Sequence, residues 1–147
     1  MQIILLTDTT LPIIASPVDI EIEATSRDQN IINLGIPDAI DSVGISSIIN
    51  DAPEVFPLGE TIVTWTATDE SDNSSSDTQT IRLVDTIAPI ITQPLEIIAD
   101  ATSLSNTVVE LSPPQVFDSV SDVKLESNTS NSFGFGETIV TWTATDE

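Results

Sequence analysis

The side chains able to do chemistry are almost all carboxylates: 24 Asp and Glu residues stand against Arg27, Arg82 and Lys124, with no His and no Cys. Without imidazole or thiol, the usual general bases and activated nucleophiles are missing, and with them disulfides and thiolate metal sites. Ser and Thr are plentiful but have no base partner, and no stretch is spare for a cleft-forming insertion. No catalytic residue is assigned, and the chain reads as a non-enzyme. What remains is the chemistry of hard oxygen ligands. Ca²⁺ takes about six to eight oxygens from carboxylates, carbonyls and waters, and acids gather where loops between domains should meet: Asp8, Asp69, Glu70, Asp72, Asp85, Asp146 and Glu147. These are the candidate Ca²⁺ ligands. No DxDxDG loop accompanies them, and a solvated acidic surface or a saline habitat accounts for the same composition. A net charge of −21 excludes nucleic acid and anionic membrane surfaces as partners, since both are bound chiefly through Lys and Arg. Two sequons, Asn73-Ser-Ser and Asn128-Thr-Ser, lie in polar segments and are candidate glycan acceptors in an exported protein.

These residues hang on a repeat. GETIVTWTATDE at 59–70 returns letter for letter at 136–147, an offset of 77 residues (136 − 59). The same offset sets Asp8-Thr9 on Asp85-Thr86, Pro12 on Pro89, Pro17 on Pro94, Pro37 on Pro114, Asp41-Ser42-Val43 on Asp118-Ser119-Val120 and Phe56 on Phe133. A period of this length is too long for a solenoid turn and suits a small domain. The repeated stretch alternates with period two, the strand signal: Val63, Trp65 and Ala67 share one face, and Ile62, Thr64, Thr66 and Thr68 the other. Trp65 and Trp142 are therefore expected in the core rather than stacked on a ligand.

The first full repeat runs from 8 to 84 and the second from 85 to 147. In the first, VDIEIEAT (18–25) reads as a strand with Val18, Ile20 and Ile22 on one side; NIINLGIP follows, then short strands near 43–49 and 54–56. SDNSSSD (71–77) reads as a polar turn leading into a last strand, TQTIRLV (78–84). The second repeat follows the same plan with LEIIADAT, TVVELSPP, VKLE and Phe133. No window has a capped 3.6 period, so no helix is expected. The fold class is all-β: two tandem immunoglobulin-like sandwiches with an extra N-terminal strand.

The residues spell a resemblance. DT-x-x-P, then P-x-x-x-D, then F-x-x-G-x-T-x-V-T-W-T-A-T-D-E is similar to the hyalin repeat, an immunoglobulin-like module of tandem arrays in extracellular and cell-surface proteins. The Cys pair that many hyalin repeats carry is absent. The resemblance implies an extracellular location and a structural, adhesive or ligand-presenting role, with glycans as possible partners.

The frame of the repeats adds one expectation. MQIILLT (1–7) falls on TQTIRLV, so the chain opens with a strand equivalent to the last strand of a preceding repeat, and the second repeat stops before its own. Either each copy donates Ile3, Ile4, Leu5 and Leu6 to a groove along Val140, Trp142 and Ala144 of the next copy, building a head-to-tail homopolymer by strand addition, or these residues are an excerpt of a longer array. Ile3 and Leu5 make the first strand apolar on both faces, where Thr80 and Arg82 are polar. Burying two such aliphatics contributes roughly 3 to 6 kcal/mol; an irregularity in a degenerate repeat is the plainer explanation. The alternative function is a soluble or surface-displayed adhesive module that binds a ligand through its loops.

Overall fold

The computed structural model describes residues 1–146; every regular element among them is a β-strand. The chain divides into two compact units, Met1–Asp85 and Thr86–Glu147.

In the first unit, β1 (Ile13–Ala15) pairs with β3 (Asp38–Ile40), while β2 (Ile20–Glu23), β4 (Ile45–Asn50), β5 (Gly59–Asp69) and β6 (Ser74–Val84) form one sheet in the order β2-β6-β5-β4. β5 and β6 make a long hairpin, in register from Gly59↔Leu83 to Thr68↔Ser74. On its other side β6 runs parallel to β2, with Ile20 beside Ile81 and Glu21 beside Arg82. The alternation seen in the sequence fixes which face is buried: Val63, Trp65 and Ala67 from β5 meet Gln79, Ile81 and Leu83 from β6, and all six are buried with Ala24 and Phe56. On the opposite face Thr and Ser line up across the hairpin, and the Thr66 and Ser76 hydroxyls are 2.9 Å apart. Branched hydroxyl side chains suit such a half-exposed pleated surface.

Three expectations for this unit need correction. The segment 71–77 is not all turn, because the strand resumes at Ser74 and only the tip, where Asp72 takes φ 66°, reverses the chain. The Ser-rich residues continue the ladder because each finds a partner on β5, Thr66 for Ser76, Ala67 for Ser75 and Thr68 for Ser74. NIINLGIP and 54–56 are not full strands; they meet in a single bridge, Asn30↔Phe56. Here the buried Asn30 side chain does the work of a ladder. Its Oδ1 accepts from Thr25 N at 2.9 Å and Ser26 N at 3.2 Å, and its Nδ2 donates to Phe56 O at 3.0 Å, a side-chain alternative to backbone pairing. Finally, Val18 and Ile22 of the β2 region are exposed although Ile20 is half-buried.

The second unit contains β7 (Ile90–Ile91), β8 (Thr107–Val108), β9 (Val116–Phe117), β10 (Lys124–Ser127), β11 (Ser132–Phe133) and β12 (Trp142–Thr145), in antiparallel pairs β7–β9, β8–β11 and β10–β12. Local devices recur at the 77-residue offset. Thr107 takes the place of Asn30, its Oγ1 accepting from Thr102 N and Ser103 N while the residue pairs with Phe133. Asn128 takes the place of Asp51: each side chain accepts the amide of a β5-type Thr, Thr141 at 2.9 Å and Thr64 at 2.6 Å. Burial is far less complete, with Thr107, Pro114 and Val120 the buried residues among those described. Residues 136–140 have no strand partner among the described residues. LEIIADAT forms no strand either, whereas the equivalent β2 of the first unit is held by β6. Residues 1–7 also form no strand here; Ile3, Ile4, Leu5 and Leu6 are exposed, because a strand exists only where another edge pairs with it.

Candidate strand-accepting edge and acidic cluster

In the first unit β6 is a central strand, and its inward side chains complete the core. Gln79 is wholly buried: its Oε1 accepts from Trp65 Nε1 at 3.2 Å, and its Nε2 donates to the carbonyls of Val18 at 2.8 Å and Leu34 at 3.1 Å. One amide thus ties the hairpin to the strand and the loop on either side. The second unit carries the same β5 sequence, yet Trp142 and Val140 are only half-buried, Ala144 likewise, and Ile139 and Ile98 are exposed. Of the proposed acceptor residues, Trp142 and Ala144 lie in β12, where β10 takes one edge and the other is open among the described residues, and Val140 precedes the strand, unpaired.

The candidate Ca²⁺ ligands separate into two groups. Asp8 and Asp69 come together, and a residue not singled out in the sequence joins them: carboxylate oxygens of Asp8, Asp41 and Asp69 lie within 4.8 Å of one another. The one signal at Asp41 is that Asp41-Ser42-Val43 returns as Asp118-Ser119-Val120, a match that reads as repeat punctuation until the fold brings it beside Asp8. Asp69 is fully buried; burial pushes its carboxyl up, and the amide of the Asn73 side chain with the backbone N–H groups of Asn73 and Ser71 outweigh this and hold it below its ordinary value. Asp41 Oδ1 accepts from Val43 N at 2.7 Å and Gly44 N at 3.2 Å. Asp8 Oδ1 accepts from Thr10 N, and its Oδ2 is a buried atom with no hydrogen-bond partner. Glu70 and Asp72 are exposed and stand outside the cluster. In the second unit Asp118 and Asp146 have carboxylate oxygens within the same 4.8 Å, and Asp118 accepts from Val120 N and Ser121 N as Asp41 does from its neighbours. Asp85 stands at the position that corresponds to Asp8, and Glu147 lies outside the described residues.

The two sequons differ. Asn73 is half-buried in the hairpin turn, and the Nδ2 that would carry a glycan donates to Asp69 Oδ2 at 2.8 Å. Asn128 is exposed and uses Oδ1 to cap Thr141.

Compared with known proteins, the chain is 33% identical over 152 residues to hyalin of Strongylocentrotus purpuratus and 31% identical over 155 residues to hyalin of Lytechinus variegatus, each alignment covering 95% of the chain. The chain is hyalin-repeat-like. It spans 13% and 29% of those two hyalins. A mouse protein named for its sushi, von Willebrand factor type A, EGF and pentraxin domains is 32% identical over 155 residues, of which the chain covers 4%. No family model matches, and no solved structure matches. No helix among the described residues is long and apolar enough to cross a membrane.

Proposed function

We propose that this hyalin-like chain is a structural element of an extracellular filament or surface stalk. Its immunoglobulin-like sandwiches, at 8–84 and 85–147, join head to tail by β-strand complementation between copies. The observation that carries the reading is the contrast between two occurrences of one sequence. Beside β6, residues 59–69 form a buried central strand; without such a neighbour, residues 136–140 stay unpaired and Trp142 half-buried. The exposed apolar segment 1–7 is the donor, the partner is another copy, and the reading involves no catalytic step. Similarity to hyalins supports the extracellular placement, where Asn128 is the more accessible glycan acceptor. The full chain is expected to lengthen with concentration by light scattering and to form threads in electron micrographs, and Ile4→Asp and Leu6→Asp in the donor to stop both. Monomeric behaviour at every concentration, with saturable binding of a ligand, would instead favour the adhesive module.

A second reading concerns the acidic cluster. Its fit to a hard cation rests on Asp8 Oδ2, buried without a donor in a group of three carboxylates. Asp8, Asp41 and Asp69 would hold Ca²⁺, which would supply the positive charge that offsets their mutual repulsion and tie the start of the repeat to the hairpin end. A ligand at about a hundred times its Kd stabilises by about 2.7 kcal/mol, so Ca²⁺ should raise the midpoint of thermal unfolding by several degrees over EDTA. Asp41→Asn should abolish the difference. Equal midpoints with and without EDTA would count against the site.

A further inference from the structure

The outer face of β6 is charged, and the face of its counterpart is not. Arg82 stands beside Glu21 of β2, with Nη1 3.9 Å from Glu21 Oε2, and opposite Glu60 of β5. At the 77-residue offset Arg82 corresponds to Leu5 and Glu21 to Ile98. Both members of a charged pair have become aliphatic, one in the N-terminal segment and the other in the second unit. Both are largely exposed, Leu5 at 82% and Ile98 at 90%. A random loss of polarity in a degenerate repeat gives no reason for two such changes to fall on facing positions. Position 3 fits the same pattern: Ile3 replaces Thr80, and the residue across from it is Ile139, 77% exposed, which the repeated motif brings unchanged from Ile62. On the inner face the anchoring amide is kept, since Gln2 corresponds to Gln79 and Trp142 to Trp65.

Resting on the strand-complementation reading, we infer that the second unit is matched to residues 1–7 of another copy in one register, and not to strands of the TQTIRLV kind. Transfer of the β6 pairing sets Gln2 opposite Val140, Ile4 opposite Thr138 and Leu6 opposite Gly136. On the parallel side Ile4 lies beside Ile97 and Leu5 beside Ile98. Gln2 accepts the Trp142 indole N–H and donates to the carbonyl of Leu95 or Leu111, as Gln79 does to those of Val18 and Leu34. Ala144 corresponds to Ala67, which faces Ser75, so it lies outside the span of residues 1–7. Leu5–Ile98 is the selective contact. An Arg in place of Leu5 would keep Glu137, the counterpart of Glu60, across from it but would lose the carboxylate beside it at position 98, so that one of its two acidic neighbours becomes an aliphatic, which is disfavoured.

The test is a charge swap in the full chain, followed by sedimentation velocity at serial dilution in about 0.15 M salt, which screens the acidic surfaces beyond roughly 8 Å. Ile98→Glu should weaken association about tenfold or more, since it removes one buried aliphatic contact and sets a carboxylate against Leu5. Adding Leu5→Arg should recover most of the loss by rebuilding the Glu21–Arg82 arrangement. Gln2→Leu lies in the exposed segment and leaves each copy folded; it should weaken association with no change in circular dichroism, and it decides the register if Ile98→Glu does not fold. If the wild-type chain associates while the swapped pair shows no coupling and Gln2→Leu has no effect, the register and its selectivity are wrong but the filament stands. If the wild-type chain never associates, the filament reading falls and this inference with it.

Discussion

Gln79→Leu separates two ways of thinking about the core. Gln79 is a fully buried polar residue among Val63, Trp65, Ile81 and Leu83, so a ledger of apolar surface alone makes leucine an improvement. Hydrogen-bond accounting gives the opposite sign. Leucine would leave Trp65 Nε1–H without its buried acceptor and strip the Val18 and Leu34 carbonyls of their donor. Orphaning a buried donor costs about 1–3 kcal/mol, and losing each of two part-buried bonds about 0.5–1.5. Leucine recovers roughly 1 kcal/mol by transfer, so a net loss of about 1–5 kcal/mol is expected, a large share of the stability of a small domain. Urea unfolding followed by tryptophan fluorescence measures it, with Ile81→Val as the control for a one-carbon packing change, expected to cost about 0.5–1.5 kcal/mol. A Gln79→Leu variant as stable as the wild type would refute the claim that this amide organises the sheet, and with it the role assigned to Gln2.

Gly44 has φ 134°, and a Cβ there would sit 3.4 Å from Glu70 Cγ; Gly44→Ala should lower the urea midpoint by the equivalent of about 1–2 kcal/mol, and an unchanged midpoint would show that the loop relaxes freely. Asp77 is held below its ordinary value of 3.8, first by the Ser16 backbone N–H. A lowered folded-state value means that its contribution is present above 3.8 and is lost as pH falls through the lowered value. Asp77→Asn should therefore be less stable near neutrality and lose less as pH falls below about 4, and parallel acid limbs would contradict this. In a Trp65→Phe chain, Trp142 is the single tryptophan. Its emission should shift to the blue over the concentration range where scattering rises, and constant emission would mean that association leaves the open edge uncovered.

The repeat, the all-β class, the buried face of β5 and the burial of Trp65 were legible because a strict period-two pattern leaves one solution for which side faces the core. The sequence placed Asp8 and Asp69 among seven acids at the meeting of domains, and the fold brings these two together within the first unit. Other features were not legible because they depend on non-local partners. Asn30 looks like a turn residue until Phe56 arrives to share its amide, and nothing marks Asp41 as a neighbour of Asp8 until β3 folds back along β1. Asn73 shows the reverse case: a sequon is a local signal, and the fold gives its Nδ2 to Asp69 instead. Glu70 and Asp72 stand outside the group of Asp8, Asp41 and Asp69, since acidity alone does not say which carboxylates converge.

The repeated motif serves as an internal control on what makes a strand. GETIVTWTATD has one set of β-propensities, yet at 59–69 it forms an eleven-residue strand and at 136–146 only the four residues of β12. Propensity and alternation within the motif are identical in the two places, so neither explains the difference. What differs is the neighbour. β5 is paired along most of its length by β6 and from Trp65 to Asp69 by β4, while its second occurrence is paired only where β10 reaches it, from Trp142 to Thr145. Pairing supplies the hydrogen bonds that an exposed extended backbone otherwise makes to water, and the inward side chains of the neighbour bury the tryptophan. Strand formation at 136–140 is thus a property of the partner strand, which is why residues 1–7 of another copy, with Gln2, Ile4 and Leu6 at alternate positions, should convert it into a copy of β5.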